Sequence, residues 1–589
     1  MRRTRGLTTL LAASALAFSL SAGPAAAATI NVGCGDVPGL VSALQTAGNG
    51  DTVKLGKQCT YTLTAPYAGI DGLPPVTVAL TIEGRGSTIR RSSAGGTALF
   101  RILHVDATGN LMLKNVTLTK GALDNFPGQN GGGILNSGGV LRMDGVTVTA
   151  NKAFQGGGVN SNGTLTMTNS VVSSNEGTDH GGGMHLGGNV TITDSQVTSN
   201  TAWILAGGIF TYAPATLVRT VVSANIASSG GGIISDSGTN PLTLIDSEVT
   251  NNTALGSGGI FSYGNTIWVV GSTISGNKAT TDRGGGIRTT GTLAVFSSTI
   301  ANNEAFTYGG GIDAGGTTLL SYSSVNVNKA LFGGGGAVSG STTVYRTTFA
   351  GNTASQDGGA MTAGSGALSI VESTLSGNTA IFGGAVKSYG TLSVERSTFN
   401  NNSATLGGAL AVLFSPATAT IVNSTFWGNL AGTGGGVITY GDVRLLSSTV
   451  GANSATLADS AGGIEVVTFN GTAIGSLEIR NSIVATNTGA HPNVGGPVTS
   501  LGYSIIGDPT GSSGWTASDA TGVSNPGLAA GLAINGGPTQ TVALLPGSPA
   551  IDFVPVGSCV NATGGALTVD QRSFPRPSGS ACDAGAFER

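Results

Sequence analysis

The chain has 589 residues, of which 99 are Gly, and only 55 carry charge (26 Lys or Arg and 29 Asp or Glu), for a formal net charge of −3. It is too long for one ordinary compact core, too glycine-rich for a helical protein, and at 39% hydrophobic too apolar to be disordered. It has no basic excess to attract nucleic acid or an anionic lipid surface.

From the N-terminus, residues 1–28 read as a secretory signal peptide: Arg2, Arg3 and Arg5 precede an apolar stretch over 7–20, and small residues over 25–28 supply a cleavage site. The stretch is too short and too interrupted by Thr and Ser to span a membrane, and no later segment approaches 18 apolar residues. The expectation is a protein that is secreted or held at the cell surface, with no membrane span after cleavage. Residues 36–47 place Val37, Leu40, Val41 and Leu44 on one helical face, with Asp36 as N-cap and Gly48 as the stop. Four Cys fall in two sequence-near pairs, Cys34 with Cys59 and Cys559 with Cys582, which predicts two disulfides in an exported chain. Neither pair has close ligand spacing or a nearby His, so no metal site and no cofactor is expected.

A repeat dominates the middle of the chain. Aligned on Asn151, Asn175, Asn200, Asn225, Asn252, Asn277, Asn303, Asn328, Asn352, Asn378, Asn402, Asn429 and Asn453, it advances 302 residues in 12 steps, about 25 per repeat. Three residues before the Asn all thirteen repeats are apolar; five before it twelve carry Ser or Thr; two after it twelve carry Ala. Each repeat holds three short runs of period two, with Gly and Asn at the joints, and none holds a helical segment of ten residues. The predicted fold is all-β: a right-handed three-sided parallel β-helix, a solenoid of roughly 16 coils and about 75 Å at 4.8 Å per coil, with a short N-terminal capping helix. The Asn is expected at a left-handed turn position, its amide stacking on the next, and glycines such as Gly383 and Gly384 are expected to permit positive φ and close strand approach. The predicted organisation is a signal peptide over 1–28, cap and first coils over 29–125, regular repeats over 126–487, and irregular coils with a C-terminal cap over 488–589.

The segments "FAGN" (349–352), "FNNN" (399–402) and "FWGN" (426–429), with "GGAV" (383–386) and "GGAL" (407–410), resemble the repeats of polymorphic outer-membrane proteins, over residues 130–465. That resemblance implies a β-helix with an adhesive surface role, although most repeats here have Val or Ile in place of Phe and no outer-membrane barrel follows. The N-terminal arrangement is similar to the cap of secreted pectin-lyase-like β-helix proteins, in which Cys34–Cys59 would tie the cap down. "GSPAID" (547–552), "DQRSFPRP" (570–577) and "CDAGAFER" (582–589) resemble the choice-of-anchor Q region of bacterial secreted β-helix proteins.

An enzyme on such a scaffold needs paired groups, and the Asp pair and GHG motif of pectin hydrolases are absent. Charges instead line up with opposites. Six residues before the Asn stand Asp194, Arg219 and Asp246, then Arg346, Glu372 and Arg396; one after it stand Lys152 and Glu176, then Lys278, Glu304 and Lys329. These read as surface ion-pair ladders. The one His-containing cluster in the sequence is Asp179, His180 and His185, a candidate general base or metal site against a plain polar turn. Asp282, Arg283 and Asp357 fall in similar turns, four and seven coils away. Aromatic residues recur in the same turn, Phe154, Trp203, Phe306, Tyr308, Phe332 and Phe382, either as sugar-stacking platforms or, the favoured reading, as covers for the coil corners. An outward Ser/Thr row from Thr273 to Thr449 has no flat second row beside it, which argues against ice binding. The expected function is a non-catalytic, adhesin-like binding protein facing a polysaccharide or a host or neighbouring cell surface; the alternative is a carbohydrate-active enzyme, a lyase or glycoside hydrolase, or a polysaccharide binder.

Overall fold

The computed structural model of the chain describes residues 27–589, except 237 and 415. The expected signal peptide lies almost wholly outside the described residues. The fold is an all-β parallel solenoid of about 19 turns, 46% strand and almost no helix. At 4.8 Å per turn this is a rod of roughly 90 Å, three turns more than the roughly 16 expected with the irregular ends included. The extra turns come from the ends, where coils without the repeat's Asn still pair in parallel: Thr29–Asn31 on Asp51–Lys54, that strand on Ala79–Arg91, and Ala79–Arg91 on Asn110–Thr119.

One coil shows how the sequence builds the others. Val140–Asp144 and Thr147–Thr149 belong to two parallel ladders of one 36-stranded sheet, Val159–Ser161 belongs to a third ladder that forms a separate sheet, and a two-residue strand, Lys152–Ala153, forms a short fourth ladder that the period-two runs do not reveal. The apolar column three before the Asn, from Val148 to Val450, is completely buried, and each such side chain contributes roughly 1.5–3 kcal/mol. The Ala column is buried too, apart from the half-buried Ala404 and Ala455; Ala279, Ala305 and Ala330 stack on one another at a corner.

The Asn column is an internal hydrogen-bond ladder. Asn277 Nδ2 donates to Asn303 Oδ1 at 3.0 Å and to the Val249 carbonyl at 2.8 Å, and the Asn277 main-chain N–H donates to that same Asn303 oxygen at 3.0 Å. Both amide hydrogens and both oxygen lone pairs are therefore used, at positions with no access to water. None of these Asn residues has positive φ. The left-handed residues are the one immediately before, such as Ala150, Val327 and Gly377, and the one six before, such as Asp194, Arg219 and Glu372. The expected left-handed role thus belongs to the neighbours, because the Asn side chain must point inward to reach its partner. The Ser/Thr column forms a second ladder: Ser247 N–H donates to Ser272 Oγ, and Ser272 N–H to Ser298 Oγ, each at 3.0 Å. Gly383 takes φ +63°, and a Cβ on Gly384 would stand 2.2 Å from the Gly408 carbonyl, so the pair divides the two tasks expected of it.

The period breaks after Asn453, but the ladder does not. Asn453 Nδ2 donates to Asn487 Oδ1 at 2.9 Å across a 34-residue step, and the surplus length includes an antiparallel hairpin of Thr468–Phe469 and Thr472–Ala473. The helix α1 (Val37–Thr46) begins where Asp36 accepts the Gly39 N–H at 2.9 Å, and it buries Leu40, Ala43 and Leu44 against the core. Both disulfides form, Cys34–Cys59 and Cys559–Cys582. The C-terminal segment lies along the rod's side: Thr398 Oγ1 donates to the Gln540 carbonyl at 2.6 Å, Thr425 Oγ1 to Gln571 Oε1 at 2.6 Å, and Thr449 Oγ1 accepts the Ala586 N–H at 3.0 Å. Part of the outward Ser/Thr row is thereby covered.

Replacing Asn303 by Ala orphans a buried N–H and a carboxamide on Asn277, and is expected to cost about 2–4 kcal/mol. Ser298→Ala should cost only about 1 kcal/mol. Urea unfolding of both variants tests the order, and equal losses would show that the Asn ladder is not the stronger tie.

Candidate functional site

In the ladder that contains Val159–Ser161 each strand turns its flanking residues inward and its central one outward. Strand register stacks these central residues into one row along the rod, and that row includes His104, His185, Phe210, Arg288, Asp313 and Lys387. Several are buried although they point away from the core, because corner residues wall the row on one side and residues two further along each strand wall it on the other. Phe210 stacks on His180 at 4.8 Å and meets Tyr212 edge-on, and the Lys387 ammonium sits 4.8 Å from the Phe382 ring and 4.5 Å from the Tyr389 ring. The result is a trough running along the solenoid.

The expected His cluster lies in this trough. Asp179 accepts from Gln155 Nε2 at 2.9 Å and stands 3.4 Å from His180 Nδ1; Asn160 Nδ2 and His185 Nδ1 are 3.1 Å apart. His180, Phe210 and His185 are stacked with nearly parallel rings. Burial, with the nearby His180 adding to it, pushes His185 down to about 4, and burial likewise lowers His180 against the pull of Asp179 and Asp236. Near neutral pH both imidazoles are therefore uncharged and packed, and among the described residues no group of three or more His, Cys, Asp or Glu side chains is gathered as for a metal ion.

Four coils further on, a cavity of about 250 Å³ opens between Arg283, Tyr308, Asp313 and Tyr389, over a floor that includes Ala337, Ser339 and Gly364. The small floor residues leave the space, and the two tyrosines border it. Asp313 makes no hydrogen bond; its nearest charges are Arg288 Nε at 3.7 Å and Arg283 Nε at 3.9 Å. Burial pushes the Asp313 carboxyl up to about 6, against the opposing pull of the two arginines. The Arg283 guanidinium lies 4.9 Å above the Tyr308 ring, and its Nε has no hydrogen-bond partner. Arg288, by contrast, is held by Asp282 at 2.9 Å. Asp357 and Lys387 form a buried ion pair at 2.6 Å at the same end of the trough. A carboxyl group and a guanidinium, in ion-pair contact at 3.9 Å and with the guanidinium also 3.6 Å from Asp282, thus face an aromatic-sided cavity. That donor and acceptor set suits a ligand rich in hydroxyl groups.

The six expected aromatic residues divide between two columns. Tyr308, Phe332 and Phe382 border the trough, and Tyr308 stacks on Phe332 at 4.8 Å. Phe154, Trp203 and Phe306 occupy the outer corner, three residues after the Asn, where Trp203 and Phe306 are 55% and 63% exposed and so do not cover a corner in the expected way. Trp203 is instead edged by Lys152 and donates to Glu176 at 3.2 Å. The charge ladders pair as expected at Lys152–Glu176 (2.9 Å), Lys278–Glu304 (3.1 Å) and Arg219–Asp194 (2.6 Å); Glu372 is buried between Arg346 and Arg396 at 2.6 and 3.1 Å.

Two features of the trough carry no mark in the sequence. Asp313 stands alone in a short strand, Ile312–Ala314, with nothing nearby in sequence to mark it. At the N-terminal end of the trough a second His-containing cluster brings together Asp71, His104 and Ser137, each 33 residues from the next. His104 Nδ1 is 3.0 Å from Asp71 Oδ2 and its Nε2 is 2.8 Å from Ser137 Oγ. The class these features define is a parallel β-solenoid with a polar trough along one sheet. No family model matches the sequence, and no curated protein matches it.

Because the folded chain holds Asp313 near 6 where an unfolded Asp titrates near 3.8, its contribution to stability is fully present below about 3.8 and lost as pH rises through about 6. Asp313→Asn keeps that position neutral throughout. The variant is expected to match the wild type in urea unfolding at pH 3.5 and to exceed it at pH 7.5 by about 1–3 kcal/mol. Equal stability at both values would contradict a strained carboxylate.

Proposed function

We propose that this chain is an exported, right-handed, three-sided β-helix of the pectin-lyase-like kind, capped at one end by α1, that binds a polysaccharide along its trough. In this reading its role at a cell surface or in the extracellular space is adhesin-like, in keeping with the resemblance to polymorphic outer-membrane-protein repeats and the choice-of-anchor Q region. The observation that carries it is the cavity where Tyr308 and Tyr389 flank the Asp313 carboxyl and the Arg283 guanidinium, loosely paired at 3.9 Å. Sugar rings offer apolar faces to such aromatic walls, and their hydroxyls both donate to a carboxylate and accept from a guanidinium. Two disulfides, and no helix among the described residues long and apolar enough to cross a membrane, are compatible with an extracellular location. The trough runs parallel to the rod axis, which suits an extended chain better than a small molecule.

The test is binding of the purified protein to a panel of plant and bacterial polysaccharides by calorimetry, with product formation followed in the same samples. Tyr389→Ala and Asp313→Asn are each expected to weaken the best ligand at least tenfold, about 1.4 kcal/mol or more, with the coil CD spectrum unchanged. Unaltered affinity in both variants would remove the cavity from the proposal.

A further inference from the structure

At the other end of the trough, Asp71, His104 and Ser137 come from three successive coils and owe nothing to the repeat columns. We infer that they form an acyl-transfer site, with Ser137 as nucleophile, His104 as general base and Asp71 as the group that orients the imidazole. The geometry meets the requirement for such a constellation: nucleophile to base 2.8 Å, base to carboxylate 3.0 Å. Asp71 is itself fixed, since Arg101 Nη1 binds its other oxygen at 2.6 Å while Arg101 Nε donates to the Asn130 carbonyl at 3.2 Å. Burial raises the Asp71 carboxyl, but hydrogen bonds and charge from His104 and Arg101 outweigh it and leave the group below its ordinary range. An ionised Asp71 accepts Nδ1–H, which leaves the Nε2 lone pair directed at the serine hydroxyl.

The main chain supports the same reading. Ser137 is exposed and directly follows Ile134–Asn136, its own N–H tied to the Val105 carbonyl at 2.9 Å. Gly138 and Gly139 come next. Neither of their N–H groups donates to a main-chain carbonyl, and that of Gly138 makes only a 3.5 Å contact with Asn136 Oδ1. They are the available donors for an oxyanion, in the position just after the nucleophile where such donors are found. A purely structural role explains the set less well, because Asp71 and Arg101 already neutralise each other, and the stacking of the coils uses the Asn and Ser columns elsewhere.

The chemistry is hydrolysis of an ester. Ser137 Oγ bonds to the carbonyl carbon as its proton passes to His104 Nε2; the tetrahedral intermediate collapses, the carbon–oxygen bond to the alcohol breaks, and the alcohol leaves with the proton from His104. Water then attacks the acyl-serine with His104 again as base, releasing the carboxylic acid and restoring Ser137. Because the serine lies open on the wall of a trough, the substrate class is an O-acyl ester carried on an extended chain, and the inference stands whether or not that chain is the polysaccharide proposed above.

The experiment uses the full chain and two probes, p-nitrophenyl acetate for turnover and an alkyl fluorophosphonate for covalent capture, with peptide mass spectrometry to locate the adduct. The expected result is a phosphonate on Ser137 and a loss of about tenfold or more in ester hydrolysis for Ser137→Ala, with an unchanged CD spectrum. Asp71→Asn should lower kcat far more than it alters KM, as expected of a positioning residue. Absence of the Ser137 adduct, or hydrolysis by Ser137→Ala within tenfold of the wild type, overturns the inference.

Discussion

The structure rests on one interaction, the buried carboxamide ladder. Each Asn spends its two donors and two acceptors on the adjacent coils, at a depth where an unmade hydrogen bond would cost about 1–3 kcal/mol. Slipping one coil by a single residue would break three bonds at once and turn an apolar column outward. The ladder therefore fixes register locally, coil by coil, beside an apolar core that runs from Val32 to Ile506. The surrounding columns follow from it: a left-handed residue before the Asn to turn the chain, a fully buried apolar residue three positions earlier, and a second ladder of Ser and Thr hydroxyls beside that. Insertions are tolerated so long as the Asn returns to its place, as the step from Asn453 to Asn487 shows.

A scaffold of this kind leaves the outward row of the Val159–Ser161 ladder free to vary, and that is where ionisable and aromatic side chains gather. The Asp71–His104–Ser137 constellation and the Asp313 cavity lie eight pairings apart in the same trough, roughly 38 Å at 4.8 Å per coil. Neither depends on the other for its geometry, because in a solenoid each coil contacts only its neighbours. A binding locus and a reactive locus on one extended ligand is the arrangement this spacing allows. The packed, neutral His180 and His185 between them contribute rigidity to the wall rather than charge.

Much of this was legible in the sequence, and the reasons for success and failure are physical. Periodicity carried the fold, since Asn, apolar, Ser/Thr and Ala positions recur every 25 residues or so. It could not say which atoms bond, so the left-handed angle was assigned to the Asn when it belongs to Ala150, Val327 and their equivalents, and the Ser/Thr column had no stated partner. Ion pairs such as Arg219–Asp194 were readable because both members sit in one column. The cavity was half visible: Tyr308 and Arg283 stood out in the variable turn, but Asp313 is a single carboxylate in an otherwise ordinary strand. Asp71, His104 and Ser137 fall partly in the irregular first coils, where no period aligns residues 33 apart, and only the stacked structure brings them into contact.

The most direct measurement is hydrogen exchange of the main-chain N–H groups along the whole Asn column, read by mass spectrometry. An unbroken ladder predicts that Asn429, whose N–H bonds across a regular step, and Asn453, whose N–H bonds across the 34-residue step, exchange as slowly as Asn277 and Asn303. Fast exchange at Asn453 beside slow exchange at Asn303 would show that register there is held by something other than the carboxamide ladder.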